Sequence, residues 1–303
     1  MEYGDKHILV LGAGASGIGA SWVLAQVGAH VVLNDYKPVT LPATEEGRLV
    51  SAGVEIITGR QDESLLDGVD RIVISPGISL DIPIVKAAQA RGIDVVSEVE
   101  LAYEVSKSPI VAVTGTNGKT TTTTLLTKVL EGSGKPVRVG GNIGDSLSEV
   151  AYSMPVGGFL VAELSSYQLE TIKHFRPIGA IMLNITPDHL ARHKTMENYI
   201  AAKERIFENQ LKSDYLVLNI DDSVVADMEH RAPSHILQIS QKQTVENGAY
   251  YANGQCYVVK NGVATAVIGD EDIHIPGSHN IENILTVIAL TYALGVPVVE
   301  IHR

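Results

Sequence analysis

Cysteine is almost absent from this sequence, since Cys256 is the only one among 303 residues. A single cysteine excludes an internal disulfide and therefore the disulfide-stapled scaffolds typical of small secreted domains. Cys256 lies in a Tyr-rich segment in which apolar and polar residues alternate. We predict that it is a small buried hydrophobic residue and not a nucleophile.

Basic residues and long apolar runs are also scarce. The 23 Lys and Arg are outnumbered by 35 Asp and Glu, which gives a net charge of −12 and disfavours a nucleic-acid partner. No apolar stretch reaches the ~18 residues that a membrane-spanning helix needs. The N-terminus has neither the basic nor the apolar region of an export signal. We therefore expect a cytoplasmic protein that does not bind membranes.

The residues that are present predict two α/β domains. The hydrophobic content of 45% is sufficient for sizeable cores, and the length favours two domains over one. We place the boundary near residue 105, which gives a first domain of residues 1–105 with a Rossmann-like parallel sheet. Residues 106–303 are predicted to form a P-loop ATPase-type domain. An antiparallel β region is added to it from His235 to Ile275, where Asn-Gly pairs predict hairpin turns.

The stretch from Ile110 to Leu126 carries the strongest signal. A short apolar run, a small-residue loop from Thr114 to Gly118 and a helix beginning at Lys119 follow one another, as in phosphate-binding loops. We therefore predict a nucleoside triphosphate as the ligand. The glycines admit the phosphates to backbone N–H groups, Lys119 supplies a positive charge, and a threonine hydroxyl holds Mg²⁺.

This loop departs from the G-x-x-x-x-G-K-[ST] pattern, because Val113 stands where the first glycine is expected. An ordinary turn before a helix is the alternative interpretation. The five consecutive threonines from Thr120 to Thr124 favour the phosphate-binding interpretation. Threonine is a mediocre helix former, so its presence throughout the first turn requires another reason.

The first domain opens with a strand, the glycine turn Gly12-Ala-Gly14-Ala-Ser-Gly17, a helix and a second strand ending at Asp35. This G-x-G-x-x-G arrangement predicts a βαβ dinucleotide-binding fold. Taken alone it favours NAD, but the same geometry serves any nucleotide diphosphate. A second glycine turn, Ser75-Pro-Gly77, follows a later strand, at the edge where α/β proteins bind ligands.

Four polar residues of the second domain are further candidates. Glu163 ends an apolar strand and is either a Mg²⁺ ligand or water-holder, or an acid facing solvent. His189 stands beside Asp188 after another strand and is predicted to contact metal or substrate rather than to be an ordinary loop histidine. Asn142 is either a turn residue or a ligand contact. Lys203 lies in an apolar helical stripe, where a lysine either extends to solvent or has a partner, and extension to solvent is the default expectation.

With these elements in order, the sequence resembles the Mur ligase family over essentially its whole length. The motifs that carry the resemblance are Gly-Thr-Asn-Gly-Lys-Thr at 115–120, Gly-Gly-Asn-Ile-Gly at 140–144, Glu-Leu-Ser-Ser-Tyr-Gln-Leu at 163–169, Asn-Ile-Thr-Pro-Asp-His-Leu at 184–190, Asn-Tyr-Ile-Ala-Ala-Lys at 198–203 and Gly-Ser-His-Asn-Ile-Glu-Asn at 277–283. The resemblance implies ATP-dependent amide formation through an acyl phosphate, which an amine then attacks. The similar branch of the family adds D-glutamate to UDP-N-acetylmuramoyl-L-alanine in peptidoglycan precursor synthesis. It implies a monomer with these small molecules, ATP and Mg²⁺ as its partners.

The resemblance also implies roles for individual residues. The ATP-binding residues would be Gly115, Thr116, Asn117, Gly118, Lys119, Thr120, Thr121, Asn280 and Asn283. The residues holding the UDP-substrate would be Gly14, Ser16, Asp35, Tyr36, Lys37, Ser75, Gly77 and, near the L-alanyl carboxylate, Asn142. One Mg²⁺ would bind Thr120 and Glu163, and a second would bind near His189 and Lys203. The catalytic residues would be Lys119, Asn142, Glu163, His189 and Lys203.

Lys203 is similar to the family lysine that CO₂ converts to a carbamate, an anion able to bind Mg²⁺. The chain departs from the family at Ala191, where an aspartate usually precedes Arg-His. It also ends before the family's third domain, which receives the incoming amino acid, so we expect a truncated chain whose D-glutamate specificity rests on the resemblance alone. NAD is then not expected. The alternatives are a ligase for another amino acid, a regulatory ATPase that needs no acceptor, and an NAD-dependent enzyme or sensor.

Overall fold

The computed structural model describes residues 3–142 and 144–302. The elements up to residue 105 are β1 (His7–Leu11), α1 (Ala15–Gln26), β2 (His30–Asp35), α2 (Ala43–Ser51), β3 (Glu55–Thr58), β4 (Arg71–Ile74), α3 (Pro83–Ala90), β5 (Asp94–Ser97) and α4 (Glu98–Val105). The elements that follow are β6 (Ile110–Thr114), α5 (Lys119–Gly132), β7 (Val137–Gly141), α6 (Leu147–Ser153), β8 (Phe159–Glu163), α7 (Ser166–Leu169), β9 (Gly179–Met182), α8 (Leu190–His193), α9 (Met196–Glu204), β10 (Tyr215–Asn219), α10 (Ser223–Ala226), β11 (His235–Ser240), β12 (Gly248–Ala252), β13 (Gln255–Lys260), β14 (Val263–Gly269), α11 (Ser278–Ala293) and α12 (Val298–His302).

The chain forms two compact units. The first comprises the residues up to Lys107 together with Gly144–Met154 and Tyr167–Phe175, and the second comprises the other described residues. The sequence assigns both of these later segments to the second domain. The single boundary near residue 105 stays a prediction.

Five parallel strands form the sheet of the first unit, in the Rossmann order β3-β2-β1-β4-β5. Strand β1 is buried on both faces. Ile8 and Val10 join one apolar cluster, which includes residues of α1, and Leu9 and Leu11 join another, which includes residues of α3. Neighbouring side chains of a strand point to opposite faces, so helices cover both sides of the sheet. The predicted Rossmann-like parallel sheet is confirmed.

Two buried carboxylates of α4 hold the later segments within the first unit. Oε1 of Glu98 accepts hydrogen bonds from Oγ of Ser146, at 2.6 Å, and from N–H of Ser148, at 2.7 Å. Burial raises the pKa of Glu98. The carboxylate of Glu100 accepts three consecutive backbone N–H groups, those of residues 173–175, at 2.7 to 3.0 Å. These charge-assisted bonds fix the backbone of both segments.

Nine strands form the sheet of the second unit, in the order β14-β13-β12-β11-β10-β9-β6-β8-β7. The strands from β7 to β12 pair in parallel, and antiparallel pairing begins between β12 and β13 and continues to β14. An antiparallel region is therefore present, but its predicted start at His235 is wrong. Strand β11 pairs in parallel with both β10 and β12.

The three Asn-Gly pairs differ in backbone conformation, which explains this correction. Asn253 and Asn261 have φ of +52° and +51°, and each is followed by a glycine of positive φ, as tight hairpin turns require. Asn247 does not share this left-handed backbone, and Gly248 is already the first residue of β12. The first pair therefore enters a strand instead of reversing the chain.

The core of the second unit contains side chains from the sheet and from helices α5 and α11, which pack together. Cys256 belongs to this core and is fully buried, as predicted. Burial raises the pKa of its thiol to about 12, which keeps it protonated near neutral pH. Among the helices of the described chain, none combines the length and apolar character that crossing a membrane requires.

Candidate functional site

The phosphate-binding loop connects β6 to α5 through two glycines in strained positions. Gly115 has φ of +148°, and a Cβ added there would lie 2.8 Å from Cβ of Leu183. Gly118 is the N-cap of α5 with φ of +85°, and its added Cβ would lie 2.6 Å from Oδ1 of Asn283. Both the backbone angles and the space therefore require glycine.

The start of α5 provides a site for an anion. The first four N–H groups of an α-helix have no partner within the helix and carry partial positive charge. A cavity of about 290 Å³ opens at this helix start. Its lining residues are Thr116, Asn117, Gly118, Lys119, Thr120, Thr121, Asn142 and Glu163. The structure thus brings most of the predicted triphosphate residues together with two predicted catalytic residues.

Lys119 lies over the loop. Its half-buried ammonium donates to the carbonyl oxygens of Gly115, at 3.0 Å, and Thr116, at 2.8 Å. An ammonium has three N–H donors, so one remains for a phosphate oxygen. Burial lowers the pKa of Lys119, and the negative charges of Glu163 and Asp188 oppose this shift.

Glu163 ends β8 as a buried carboxylate, with only 1% of its surface exposed. Its Oε1 accepts a hydrogen bond from Nδ2 of Asn142 at 3.0 Å, whereas its Oε2 has no hydrogen-bond partner among the residues that the structure describes. A buried oxygen without a partner is costly, and a cation or a ligand donor would satisfy it. The interpretation of Glu163 as an acid facing solvent is therefore wrong.

The arrangement around Glu163 can hold Mg²⁺ together with a phosphate ligand, although it contains no cluster of acidic or histidine side chains within the described residues. Within residues 3–142 and 144–302, no group of three or more His, Cys, Asp or Glu is placed to hold a metal ion. Mg²⁺ does not require one, since it keeps several waters and binds one or two carboxylates together with substrate phosphates. Glu163 and Thr120 line the same cavity and offer the oxygen ligands that Mg²⁺ prefers. One Mg²⁺ bound together with a triphosphate therefore fits these residues.

The segment that follows β9 clamps the loop. The side-chain amide of Asn184 accepts from N–H of Asn117 at 2.8 Å and donates to its carbonyl oxygen at 3.1 Å. N–H of Thr186 donates to Oγ1 of Thr116 at 3.0 Å. The sequence interpretation assigned no role to Asn184 or Thr186. The sequence feature that could have identified them is their position in the Asn-Ile-Thr-Pro motif after a strand.

Lys203 is buried beneath the same loop, with 1% of its surface exposed. Its ammonium donates to the carbonyl oxygen of Gly115 at 2.8 Å and lies 3.4 Å from Oγ1 of Thr114. Burial, and secondarily the positive charge of Lys119, lowers the pKa of Lys203 to about 7. The default expectation of a lysine that extends to solvent is therefore wrong.

Tyr199, one helical turn before Lys203, is a buried residue that the sequence interpretation did not treat as functional. Its hydroxyl lies 3.0 Å from Oγ1 of Thr116, and the ammonium of Lys203 lies 5.0 Å from the centre of its ring. The ring centres of His189 and His193 lie 6.2 and 5.3 Å from that of Tyr199. The available signal was its position on the same helical stripe as Lys203.

Two residues are expected near a second Mg²⁺, His189 and Lys203. Both lie near the ring of Tyr199, and none of the contacts within the described residues joins one to the other. His189 is exposed, has φ of +53°, and its Nε2 lies 3.4 Å from Oδ2 of Asp188. The second metal site therefore stays a prediction.

The predicted adenine-side residues lie at the start of α11, which begins at Ser278. Nδ2 of Asn283 donates to Oδ1 of Asn280 at 3.1 Å, and Nδ2 of Asn280 donates to the carbonyl oxygen of Pro276 at 2.6 Å. Because Asn283 packs against Gly118, this pair is placed beside the phosphate-binding loop.

The first unit contains its own candidate site. Asp35 accepts N–H of Ala13 at 3.0 Å and N–H of Lys37 at 2.9 Å, and thereby joins the glycine turn to the turn after β2. A cavity of about 630 Å³ lies at these turns. It is lined by Asp35, Tyr36, Lys37, Gln61, Gly77, Ile78, Ser79, Ile82, Pro83 and Ile84.

The other predicted substrate residues of this unit do not line that cavity. Oγ of Ser75 donates to the carbonyl oxygen of Gly12 at 3.3 Å, so Ser75 supports the glycine turn. Gly14 is exposed and has open space around it, and Ser16 is half-buried in the first turn of α1. Their contacts with a ligand stay predictions.

Two family models match the chain. The Mur ligase middle domain matches residues 113–291, which is more than half of the chain, and the Mur ligase MurD-like N-terminal domain matches residues 6–97.

Relatives with the name UDP-N-acetylmuramoylalanine–D-glutamate ligase match almost the whole chain. The relative from Thermoanaerobacter pseudethanolicus is 45% identical over 98% of the chain, and that from Halalkalibacterium halodurans is 40% identical over 100% of it. The chain spans 65% of the first relative and 66% of the second.

Solved structures share the fold at lower identity. The UDP-N-acetylmuramate:L-alanyl-gamma-D-glutamyl-meso-diaminopimelate ligase from Neisseria meningitides matches with a TM-score of 0.65 and 22% identity, over 98% of this chain and 96% of that one. UDP-N-acetylmuramate-alanine ligase from Thermotoga maritima matches with a TM-score of 0.54 and 23% identity, over 98% of this chain and 66% of that one.

Proposed function

Because this chain belongs to the Mur ligase family, we propose that it is the nucleotide-binding and substrate-binding part of an ATP-dependent amide ligase. The reaction that we propose is the addition of D-glutamate to UDP-N-acetylmuramoyl-L-alanine, in agreement with the names of its relatives. We also propose that this reaction takes place in the cytoplasm. We further propose that the protein is a monomer. The observation that carries the proposal is a buried oxygen of Glu163, which has no hydrogen-bond partner within residues 3–142 and 144–302 and shares one cavity with Lys119 and the start of α5.

The triphosphate of ATP binds at the helix start. Backbone N–H groups at the start of α5 and the third N–H of Lys119 contact the phosphates, and Asn280 and Asn283 lie on the adenine side. Thr120 and Glu163 hold Mg²⁺, which neutralises phosphate charge when bound. In the first step, a carboxylate oxygen of the UDP-substrate attacks the γ-phosphorus, forming a P–O bond while ADP leaves.

In the second step, the amine of the amino acid attacks the acyl carbon, forming a C–N bond and releasing inorganic phosphate. Lys119 remains charged throughout and offsets negative charge at the transferred phosphoryl group. The amide of Asn142, held by Glu163, lies at the same cavity and positions the substrate carboxylate.

Lys203 becomes a carbamate in this proposal. Its pKa of about 7 leaves a large fraction of neutral amine at neutral pH, and that amine attacks CO₂. An N–C bond forms and the nitrogen releases one proton, in addition to the proton lost when the ammonium became the neutral amine. The loss of both protons converts a cation beneath the loop into an anion. Together with His189, this anion would hold a second Mg²⁺, which would supply further positive charge near the phosphates. The carbonyl oxygen of Gly115 still accepts the remaining N–H.

The UDP part of the substrate binds to the first unit. The cavity beside Asp35, Tyr36, Lys37 and Gly77 has room for a nucleotide, and its backbone turns follow parallel strands, where α/β proteins bind ligands. Gly14, Ser16 and Ser75 shape the glycine turn next to it.

Isothermal titration calorimetry tests this proposal. UDP-N-acetylmuramoyl-L-alanine, MgATP and NAD are each titrated into the protein, and we expect heats of binding for the first two and none for NAD. Binding of NAD at the first glycine turn would favour the dinucleotide enzyme. ATP hydrolysis without affinity for the UDP-substrate would favour the regulatory ATPase.

A further inference from the structure

Tyr199 is placed between several parts of the site in the second unit. It is among the largest fully buried side chains, and its ring contacts Lys203 and two histidines. His193 is itself fixed, because its Nε2 lies 2.9 Å from Oγ of the buried Ser166. The ring of Tyr199 therefore has little freedom to move.

The direction of its hydrogen bond follows from counting donors around Thr116. Oγ1 of Thr116 lies 3.2 Å from the carbonyl oxygen of Thr186, to which it donates its single hydrogen. The same oxygen accepts N–H of Thr186. All three contacts of this oxygen are hydrogen bonds only when the hydroxyl of Tyr199, 3.0 Å away, donates to Thr116. Removing that hydroxyl leaves Thr116 one hydrogen bond short.

Thr116 directly follows Gly115, and this connects the tyrosine to both lysines. The carbonyl oxygen of Gly115 accepts Lys119 and Lys203, and the carbonyl oxygen of Thr116 accepts Lys119 again. A shift of Thr116 therefore moves the acceptors that orient both ammonium groups. The segment 184–186 restrains the loop from one side, and Tyr199 restrains it from α9.

We propose that Tyr199 is a positioning residue, which through its hydroxyl holds Thr116 and thereby sets the phosphate-binding loop and the two lysines in one arrangement. This inference rests on the proposed function only in taking the loop's ligand to be ATP. In this inference Tyr199 acts on the site through Thr116 and not by direct contact with the phosphates or the substrate.

The variants Tyr199→Phe, Thr116→Val and their combination form a double-mutant cycle. Tyr250→Phe is the matched control, since Tyr250 lies in β12, stacks on Tyr257, and its hydroxyl makes no hydrogen bond in the part of the chain that the structure describes. Thr116→Ser keeps the acceptor and is the conservative variant.

The first measurement is amide hydrogen exchange at Thr186, whose N–H donates to Thr116. We expect faster exchange in Tyr199→Phe, unchanged exchange in Tyr250→Phe, and wild-type exchange in Thr116→Ser. Unchanged exchange in Tyr199→Phe would overturn the inference whether or not the protein binds ATP.

The second measurement is the MgATP dissociation constant. Loss of one neutral hydrogen bond predicts a roughly 2- to 10-fold weaker constant for Tyr199→Phe, and no further weakening when Tyr199→Phe is added to Thr116→Val. If the two substitutions weakened MgATP binding independently, so that their fold-changes multiplied in the double variant, Tyr199 would not act through Thr116. Absence of MgATP binding in the wild type would contradict the proposed function, and the exchange result would still decide whether Tyr199 holds the loop.

Discussion

Lys119 and Lys203 direct their ammonium groups at the same oxygen, the carbonyl of Gly115, at 3.0 and 2.8 Å. Two cations on one acceptor repel each other, and the charge of Lys119 contributes to the lowered pKa of Lys203. Their tasks in the proposed reaction differ, because Lys119 must stay charged and Lys203 must lose its proton to react with CO₂. The shared contact with Gly115 favours this difference in protonation between the two lysines.

Replacing Lys119 by alanine should weaken MgATP binding roughly 10- to 100-fold, since a charge-assisted hydrogen bond to phosphate is lost. Binding of the UDP-substrate should be unchanged. Lys128→Ala, on the exposed face of the same helix and paired with Glu131, is the control. Calorimetry with both ligands measures this. Wild-type ATP affinity in a folded Lys119→Ala variant would rule out the phosphate-binding assignment.

Replacing Gly118 by alanine should abolish MgATP binding and destabilise the protein by more than the ~1–2 kcal/mol of a left-handed backbone. Gly118 has φ of +85°, and in addition the Cβ of an alanine there would lie too close to Asn283. Gly134→Ala is matched for backbone, with φ of +75° and open space around it. Urea unfolding of both variants separates the cost of the strained backbone from the cost of the contact with Asn283. Equal losses of stability would show that the contact with Asn283 costs nothing.

The pH dependence of stability should carry a contribution from Lys203. Its pKa is lowered from 10.5 to about 7, so between these values the unfolded chain binds more protons than the folded chain. The free energy of unfolding should therefore rise with pH in this window, and the penalty is fully present below pH 7. Relative to Lys203→Met, the gain should be at most about 5 kcal/mol, at about 1.4 kcal/mol per pKa unit.

Urea unfolding in CO₂-free buffer, which keeps the lysine as a free amine, measures this difference. Lys128→Met controls for the loss of an exposed lysine. A difference between wild type and Lys203→Met that stays constant across the window would contradict the assigned pKa.

Replacing Asp35 by alanine should weaken binding of the UDP-substrate roughly 10-fold or more and leave MgATP binding intact. Its carboxylate holds N–H of Ala13 and of Lys37, so two turns of the first unit lose their charge-assisted hydrogen bonds together. Asp67→Ala, which removes an exposed carboxylate paired with Arg91, is the control. Calorimetry measures both affinities, and equal losses for the two ligands would show that the assignment of the two sites is wrong.

The parts of the site that are contiguous in the chain were predictable from sequence. The loop from Gly115 to Thr121 is recognisable in the sequence by its glycines, its lysine and its hydroxyls at fixed spacing. The contacts that assemble the site were not predictable in this way, since Tyr199 meets Thr116 across 83 residues. The role of Lys203 was predicted from the family resemblance alone, because an amphipathic stripe does not distinguish a buried lysine from one that reaches solvent.

The correction at β11 has a similar origin. An Asn-Gly pair predicts a hairpin when its backbone adopts positive φ at both positions, and sequence alone does not distinguish Asn247 from Asn253 and Asn261. Parallel pairing of β11 with its neighbours is set by the packing of the whole sheet.

The transfer of one oxygen atom tests the central claim most directly. The full-length protein is incubated with MgATP, D-glutamate and UDP-N-acetylmuramoyl-L-alanine labelled with ¹⁸O in its carboxylate, and the phosphate released is analysed by mass spectrometry. An acyl phosphate leaves one carboxylate oxygen on the phosphate, so we predict inorganic phosphate carrying one ¹⁸O together with the amide product. Unlabelled phosphate would mean that water attacks ATP directly, and would contradict the assignment as a ligase.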